Sequence, residues 1–188
     1  MVEASLAALI HPLQDTEYSN EYELLAACRR REIRAFEQVY LVHGGRLKSI
    51  AWRILGNRSD AEDAVQETFL KFYRGIEGFH AQSSIGTWLC RILINTCHDT
   101  ARKRRREGDP QAEEKAPGAK NHLPLKVALD DALGRIHPRY RMVFLLFEVE
   151  GFKHGEIAAI LEVPEGTSKA WLFEAKKELK RMLTETRR

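Results

Sequence analysis

Apolar residues return every three or four positions along almost the whole chain, and a single stretch breaks that rule. Leu24, Leu25 and Cys28 open the pattern, and Ile33, Phe36, Val39 and Tyr40 continue it. Leu47, Ile50, Ala51, Ile54 and Leu55 form the next stripe. This period puts apolar side chains on one face of an α-helix. Sustained period-two alternation and Asn-Gly hairpin turns are missing, so strands are not expected. From Glu107 to Asn121 the period disappears among Gly108, Pro110, Pro117, Gly118, Asp109, Glu113 and Glu114. Such a tract is too poor in apolar residues to fold alone. The expected fold class is all-α, two small helical domains joined by a flexible linker. The domains span 22–106 and 123–188, with the linker at 107–122. Residues 1–21 form an N-terminal extension that is either disordered or one more helix.

Local signals place the helix ends. His43-Gly44-Gly45 reads either as a short break or as a weak spot in one long helix. Gly56-Asn57 is a C-cap signal, and Ser59 stands three residues before Glu62, the capping-box spacing. Ala61, Ala64, Val65, Thr68, Phe69 and Phe72 then share one face, with Asp60, Asp63, Gln66, Glu67 and Lys71 opposite. Gly75 and Gly78 close this helix, and a loop leads to another from about Ile85 to Arg102, with Trp88, Leu89, Ile92 and Thr96 inward. Pro124 restarts helical structure, Pro138 separates two helices, and Gly151 ends the second. A short helix carries Ile157 to Leu161. Pro164 and Gly166 supply backbone restriction and freedom for a tight turn, and Thr167 is the expected cap of the last helix.

Several classes are set aside. No apolar run approaches the roughly 20 residues that span a bilayer, and Leu6 to Ile10 is too short for a signal core. A soluble, cytoplasmic chain without membrane insertion is expected. The three cysteines, Cys28, Cys90 and Cys97, form no disulfide framework and no zinc spacing. Cys90 and Cys97 share a helix face and read as small core residues rather than a redox pair. No metal, cofactor or catalytic residue is expected.

Charge is unevenly placed. Residues 60–77 carry net −3, residues 91–106 net +5 and residues 168–188 net +4. An acidic face suits a basic protein partner and a basic helix suits phosphates, although either can simply be solvated. Two short helices joined by a tight turn, the second basic, form a helix-turn-helix pattern that reads duplex DNA through the second helix. Trp88 has two readings, a platform for an unpaired base or a core residue.

Ser59-Asp60-Ala61-Glu62-Asp63-Ala64-Val65-Gln66-Glu67-Thr68-Phe69, then Thr87-Trp88-Leu89-Cys90-Arg91-Ile92 with Asn95-Thr96, resembles the second conserved region of bacterial RNA polymerase sigma factors. Gly155-Glu156-Ile157-Ala158 through Val163-Pro164-Glu165-Gly166-Thr167-Ser168-Lys169 resembles their fourth region. Two regions with a short linker resemble the extracytoplasmic-function (ECF) group of the sigma-70 family, over roughly residues 22 to 185.

The resemblance implies a binding protein, not an enzyme. It implies docking on the clamp helices of core RNA polymerase through Asp63, Gln66, Glu67 and Leu70. It implies recognition and melting of the minus-ten element by the loop residues Phe79, His80, Gln82 and Ser83, by Arg91, Asn95 and His98, and by the run containing Arg102, Lys103 and Arg104. Phe79 can equally anchor the loop in the core. The minus-thirty-five element would be read by Thr167, Lys169, Ala170, Trp171, Phe173, Lys176 and Lys177, with Trp171 alternatively partly buried or packed on a partner. Many relatives have Arg or His near 171, 173 and 174, where this chain has Trp171, Phe173 and Glu174. The linker acids would imitate RNA charge near the polymerase active site, and an anti-sigma factor would restrain the protein. A stand-alone helix-turn-helix regulator leaves the acidic helix unassigned. A Mg²⁺-dependent nuclease built on the carboxylates at 60, 62, 63 and 67 lacks a phosphate-cradling loop.

Overall fold

The computed structural model describes residues 18–79, 83–106 and 124–185, and every regular element among them is helical. The first domain holds α1 (Glu21–Arg29), α2 (Ile33–Leu55), α3 (Arg58–Gly75), a 3-10 turn at Ile76–Gly78 and α4 (Ile85–Arg106). The second holds α5 (Pro124–Arg135), α6 (Pro138–Phe144) running into a π turn at Leu145–Val149, α7 (His154–Leu161) and α8 (Glu165–Glu185).

Several ends differ from those the sequence signals. Helix α2 runs unbroken through Gly44 and Gly45, because Gly44 is buried beneath the Tyr40 ring and the helix continues on both sides. At α3 the cap is Asn57, whose side chain accepts from the Asp60 N–H, so Ser59 lies inside the helix and forms no capping box. Helix α8 begins at Glu165, two residues before Thr167. The sharp turn ahead of it is made by Glu162, at φ 55°, and not by Gly166, which is already helical. Ile33 belongs to the apolar period but is 74% exposed at the first position of α2.

Helices α2, α3 and α4 pack on one another, closed at one end by α1. Phe72 is fully buried, edge-on to Phe36 at 5.8 Å and tilted on Trp88 at 5.2 Å. In the second domain α8 is the hub for α5, α6 and α7. Ala132, Leu133, Ile136, Ala175 and Leu179 form its own core.

The two domains are packed together. Val143, Leu146, Phe152, Ile157, Ile160 and Leu172 join the apolar core of the first domain, and α7 lies against α4. Polar contacts close the seam. The Arg46 guanidinium of α2 ion-pairs with Glu150 at 3.3 Å, donates to the Glu150 carbonyl, and stacks 3.8 Å above the Phe152 ring. Arg141 donates to the Arg53 carbonyl at 2.9 Å, and Thr87 donates to Glu156 at 3.4 Å.

Candidate functional site

On α3, Asp63, Gln66 and Leu70 stand exposed on the face away from the core, spaced one helical turn apart. Glu67 is half-buried at the edge of this face, 3.9 Å from Lys71. Lys71 in turn donates to Thr96 of α4 at 3.0 Å, tying the two helices together. The acidic face is therefore rigidly backed: Ala61, Ala64, Val65, Thr68 and Phe72 on its other side are all buried.

The N-terminus of α4 borders a recess of about 220 Å³ lined by Glu21, Tyr22, Leu25, Phe79, Ser83 and Ser84. Phe79 is buried and stacked on Trp88 at 4.5 Å with the rings 10° from parallel. It thus anchors the loop and forms a wall of the recess. Trp88 is held between Phe79 and Phe72, which matches its core reading. Arg29 clamps the same point by donating to the Phe79 carbonyl at 2.6 Å, and Glu21 accepts from the Ile85 N–H at the start of α4. His80 and Gln82 lie outside the described residues.

From this recess Arg91, Asn95, His98 and Arg102 run down one side of α4 at helical spacing, with Asn95, His98 and Arg102 exposed. Arg102 is bound to Asp99 one turn back. Lys103 is exposed beside it. Arg104 points the other way: only 14% exposed, it ion-pairs with Asp60 at 2.5 Å and braces the end of α4 against the start of α3.

In the second domain, Leu172, Ala175, Leu179 and Ser168 are buried and fix the rotation of α8. Ser168 bonds His154 Nδ1 at 2.9 Å, and His154 stacks on Phe147 at 4.6 Å, locking α7 to α8. Lys169, Ala170, Phe173, Lys176 and Lys177 are exposed, and Thr167 is half-buried. Trp171 is half-buried and turned to α6, with the Arg139 guanidinium 5.6 Å from its ring. The lysines are not bare charges: Lys169 pairs with Glu165 at 2.7 Å, Lys176 with Glu148 at 2.6 Å and Lys177 with Glu174 at 3.3 Å.

Burial also sets the titration of interior groups. It pushes the thiols up, Cys28 to about 11 and Cys90 and Cys97 to about 12. It holds His43 below the usual imidazole value, with Arg46 acting in the same direction and Glu21 against it. Sequence reasoning missed Glu21, Arg29, Arg46 and Glu150, because a lone charged residue in a helix carries no signal of which distant carbonyl or carboxylate it meets.

The family profile described as Sigma-70 region 2 matches residues 39–107, and that described as Sigma-70, region 4 matches residues 126–179. The ECF RNA polymerase sigma-E factor of Haemophilus influenzae is 32% identical over 140 residues, covering 64% of this chain and 72% of that protein. This chain belongs to the sigma-70 family. Its membership is of the ECF group. The ECF sigma factor SigM of Mycobacterium tuberculosis is 29% identical over 166 residues, 87% of this chain and 85% of the relative. The sigma factor RpoE of Bartonella quintana, solved in complex with the anti-sigma factor NepR, superposes with a TM-score of 0.67 at 27% identity, covering 81% of this chain and 98% of that one. As a sigma factor the chain is a non-enzymatic initiation factor, directing polymerase to promoters through its region 2 and region 4 domains. Among the described residues no helix is long and apolar enough to cross a membrane.

Proposed function

We propose that this sigma factor divides its work along the boundaries read from the sequence, with 22–106 holding polymerase and opening the minus-ten element, and 123–188 reading the minus-thirty-five element. The observation that carries the reading is the recess at the head of α4. It lies below the range of drug-sized pockets, which suits one unstacked base. Extruding a base costs a few kcal/mol, and walls held by Phe79, Trp88 and Arg29 are pre-formed to offset that cost. Ser83 supplies a hydroxyl at the rim, with Gln82 one and His80 three positions before it in sequence. Arg91, Asn95, His98 and Arg102 then guide the strand, and Lys103 adds a phosphate contact. Arg104 supports the helix end through Asp60.

Asp63, Gln66 and Leu70 form the polymerase contact, with Glu67 at its margin. Helix α8 enters the major groove with Lys169, Ala170, Phe173, Lys176 and Lys177 outward, while Thr167 sits at its first turn and Trp171 braces it against α6. Control by an anti-sigma factor is supported by the solved complex of the Bartonella relative with NepR, and a cytoplasmic location by the site of transcription. Run-off transcription with core polymerase on a genomic fragment library tests the whole reading. Defined start sites preceded by two shared elements are expected; an absence of any specific start would refute it.

A further inference from the structure

The outward face of α8 is unusual for a groove-reading helix, and its chemistry specifies what it reads. We propose that Phe173, with Ala170 beside it, recognises the 5-methyl groups of thymine in the upstream element. The proposal rests on the assignment of α8 as the recognition helix. Phe173 is 66% exposed, although a phenyl ring in water forgoes a large apolar burial. It cannot rotate inward, because Leu172 and Ala175 on either side of it are buried and fix the helix phase. Ala170 lies three residues back on the same face, and its small side chain leaves the ring a clear approach to the groove floor.

The face holds no arginine near the helix start. The arginine of α8 is Arg181, roughly 24 Å along the axis from Glu165. The fork that grips guanine O6 and N7 is therefore missing where base edges come within reach. Lys169 can still donate to a guanine edge, but for the apolar surface that Phe173 and Ala170 present the major groove offers one target, the thymine methyl group. Lys169, Lys176 and Lys177 surround the ring, each held by a glutamate until a phosphate replaces it. That cationic rim favours a nucleic-acid occupant over an apolar protein groove.

The test uses holoenzyme reconstituted from core polymerase and the full chain, on a promoter taken from the run-off library. Each upstream thymine is replaced singly by deoxyuridine, which removes only the methyl group. Expected is a loss of about fourfold in promoter affinity at one or two positions, the equivalent of one buried methyl. Phe173→Ala should lose a similar amount and become indifferent to the replacement. Phe173→Leu should keep part of the discrimination. Lys169→Ala should weaken thymine and uracil templates equally. An upstream element without thymine, no position with discrimination above twofold, or full discrimination retained by Phe173→Ala each overturns the proposal. Indifference of transcription to every upstream base pair instead removes the assignment of α8 itself. The exposed position lets Phe173→Ala fold, which its helical circular dichroism checks.

Discussion

The Arg46–Glu150 pair is the most exacting test of how the two domains are held. The Glu150 side chain is 9% exposed and that of Arg46 35%. Removing one partner of a fully buried pair costs about 3–5 kcal/mol, because the other charge is stranded. Arg46 keeps partial access to water, so about 1–3 kcal/mol is the appropriate range here. Glu150→Gln should sit at the low end, since Arg46 retains the Glu150 carbonyl and the Phe152 ring. Arg46→Met should sit at the high end, since it leaves the carboxylate buried and loses both of those contacts. The double variant should then cost less than the two singles together by at least about 1 kcal/mol, as contacting residues do. Urea unfolding followed by fluorescence, with Trp52 and Trp88 reporting the first domain and Trp171 the second, measures all four proteins. If the changes add within about 0.5 kcal/mol, the two side chains do not act as a pair and the seam is held by apolar packing alone.

Three further outcomes follow from the structure. Asp63→Lys with Leu70→Asp should weaken core polymerase binding at least about tenfold, or 1.4 kcal/mol, while leaving the melting temperature unchanged, because both side chains are exposed. Equal affinity in a competition assay would move the polymerase contact off α3. His43 has a folded-state value below its unfolded one, so the unfolded chain binds more protons. The stability His43 contributes is present above about pH 6.5 and lost as pH falls through the lowered folded value. A melting-temperature profile for His43→Gln should be flatter through that window than wild type, and parallel curves would show that His43 titrates alike in the folded and unfolded chain. Cys28, Cys90 and Cys97 should react with a thiol reagent at pH 8 only at the rate of unfolding, and fast labelling of native protein would contradict their burial.

Periodicity made the helices and most of the core legible, because burial on one face is a local pattern. Phe72, Leu89, Ile157 and Leu172 are where their spacing puts them. Helix starts were less legible, since Asn57 and Ser59 are both good caps and only the path of the preceding turn favours Asn57. The exposed candidates Asp63, Asn95 and Lys169 follow from the same period, read on its polar side. Arg104 did not, because Asp60, which holds it, stands 44 positions away. The seam between domains left no trace in the sequence, as Phe152 and Glu150 read there as an ordinary helix end.

The common core of the two domains limits how far the molecule can reach. Elements centred near minus ten and minus thirty-five lie about 25 base pairs apart, or roughly 85 Å at 3.4 Å per step. A packed chain of 188 residues is only about 40 Å across. The 17 residues from 107 to 123 span at most about 60 Å when drawn out straight. Holding both ends of a promoter therefore means parting α7 from α4 and Arg46 from Glu150. The fraction of molecules already parted scales the apparent affinity for two-part DNA, so a firmer seam makes a quieter sigma factor.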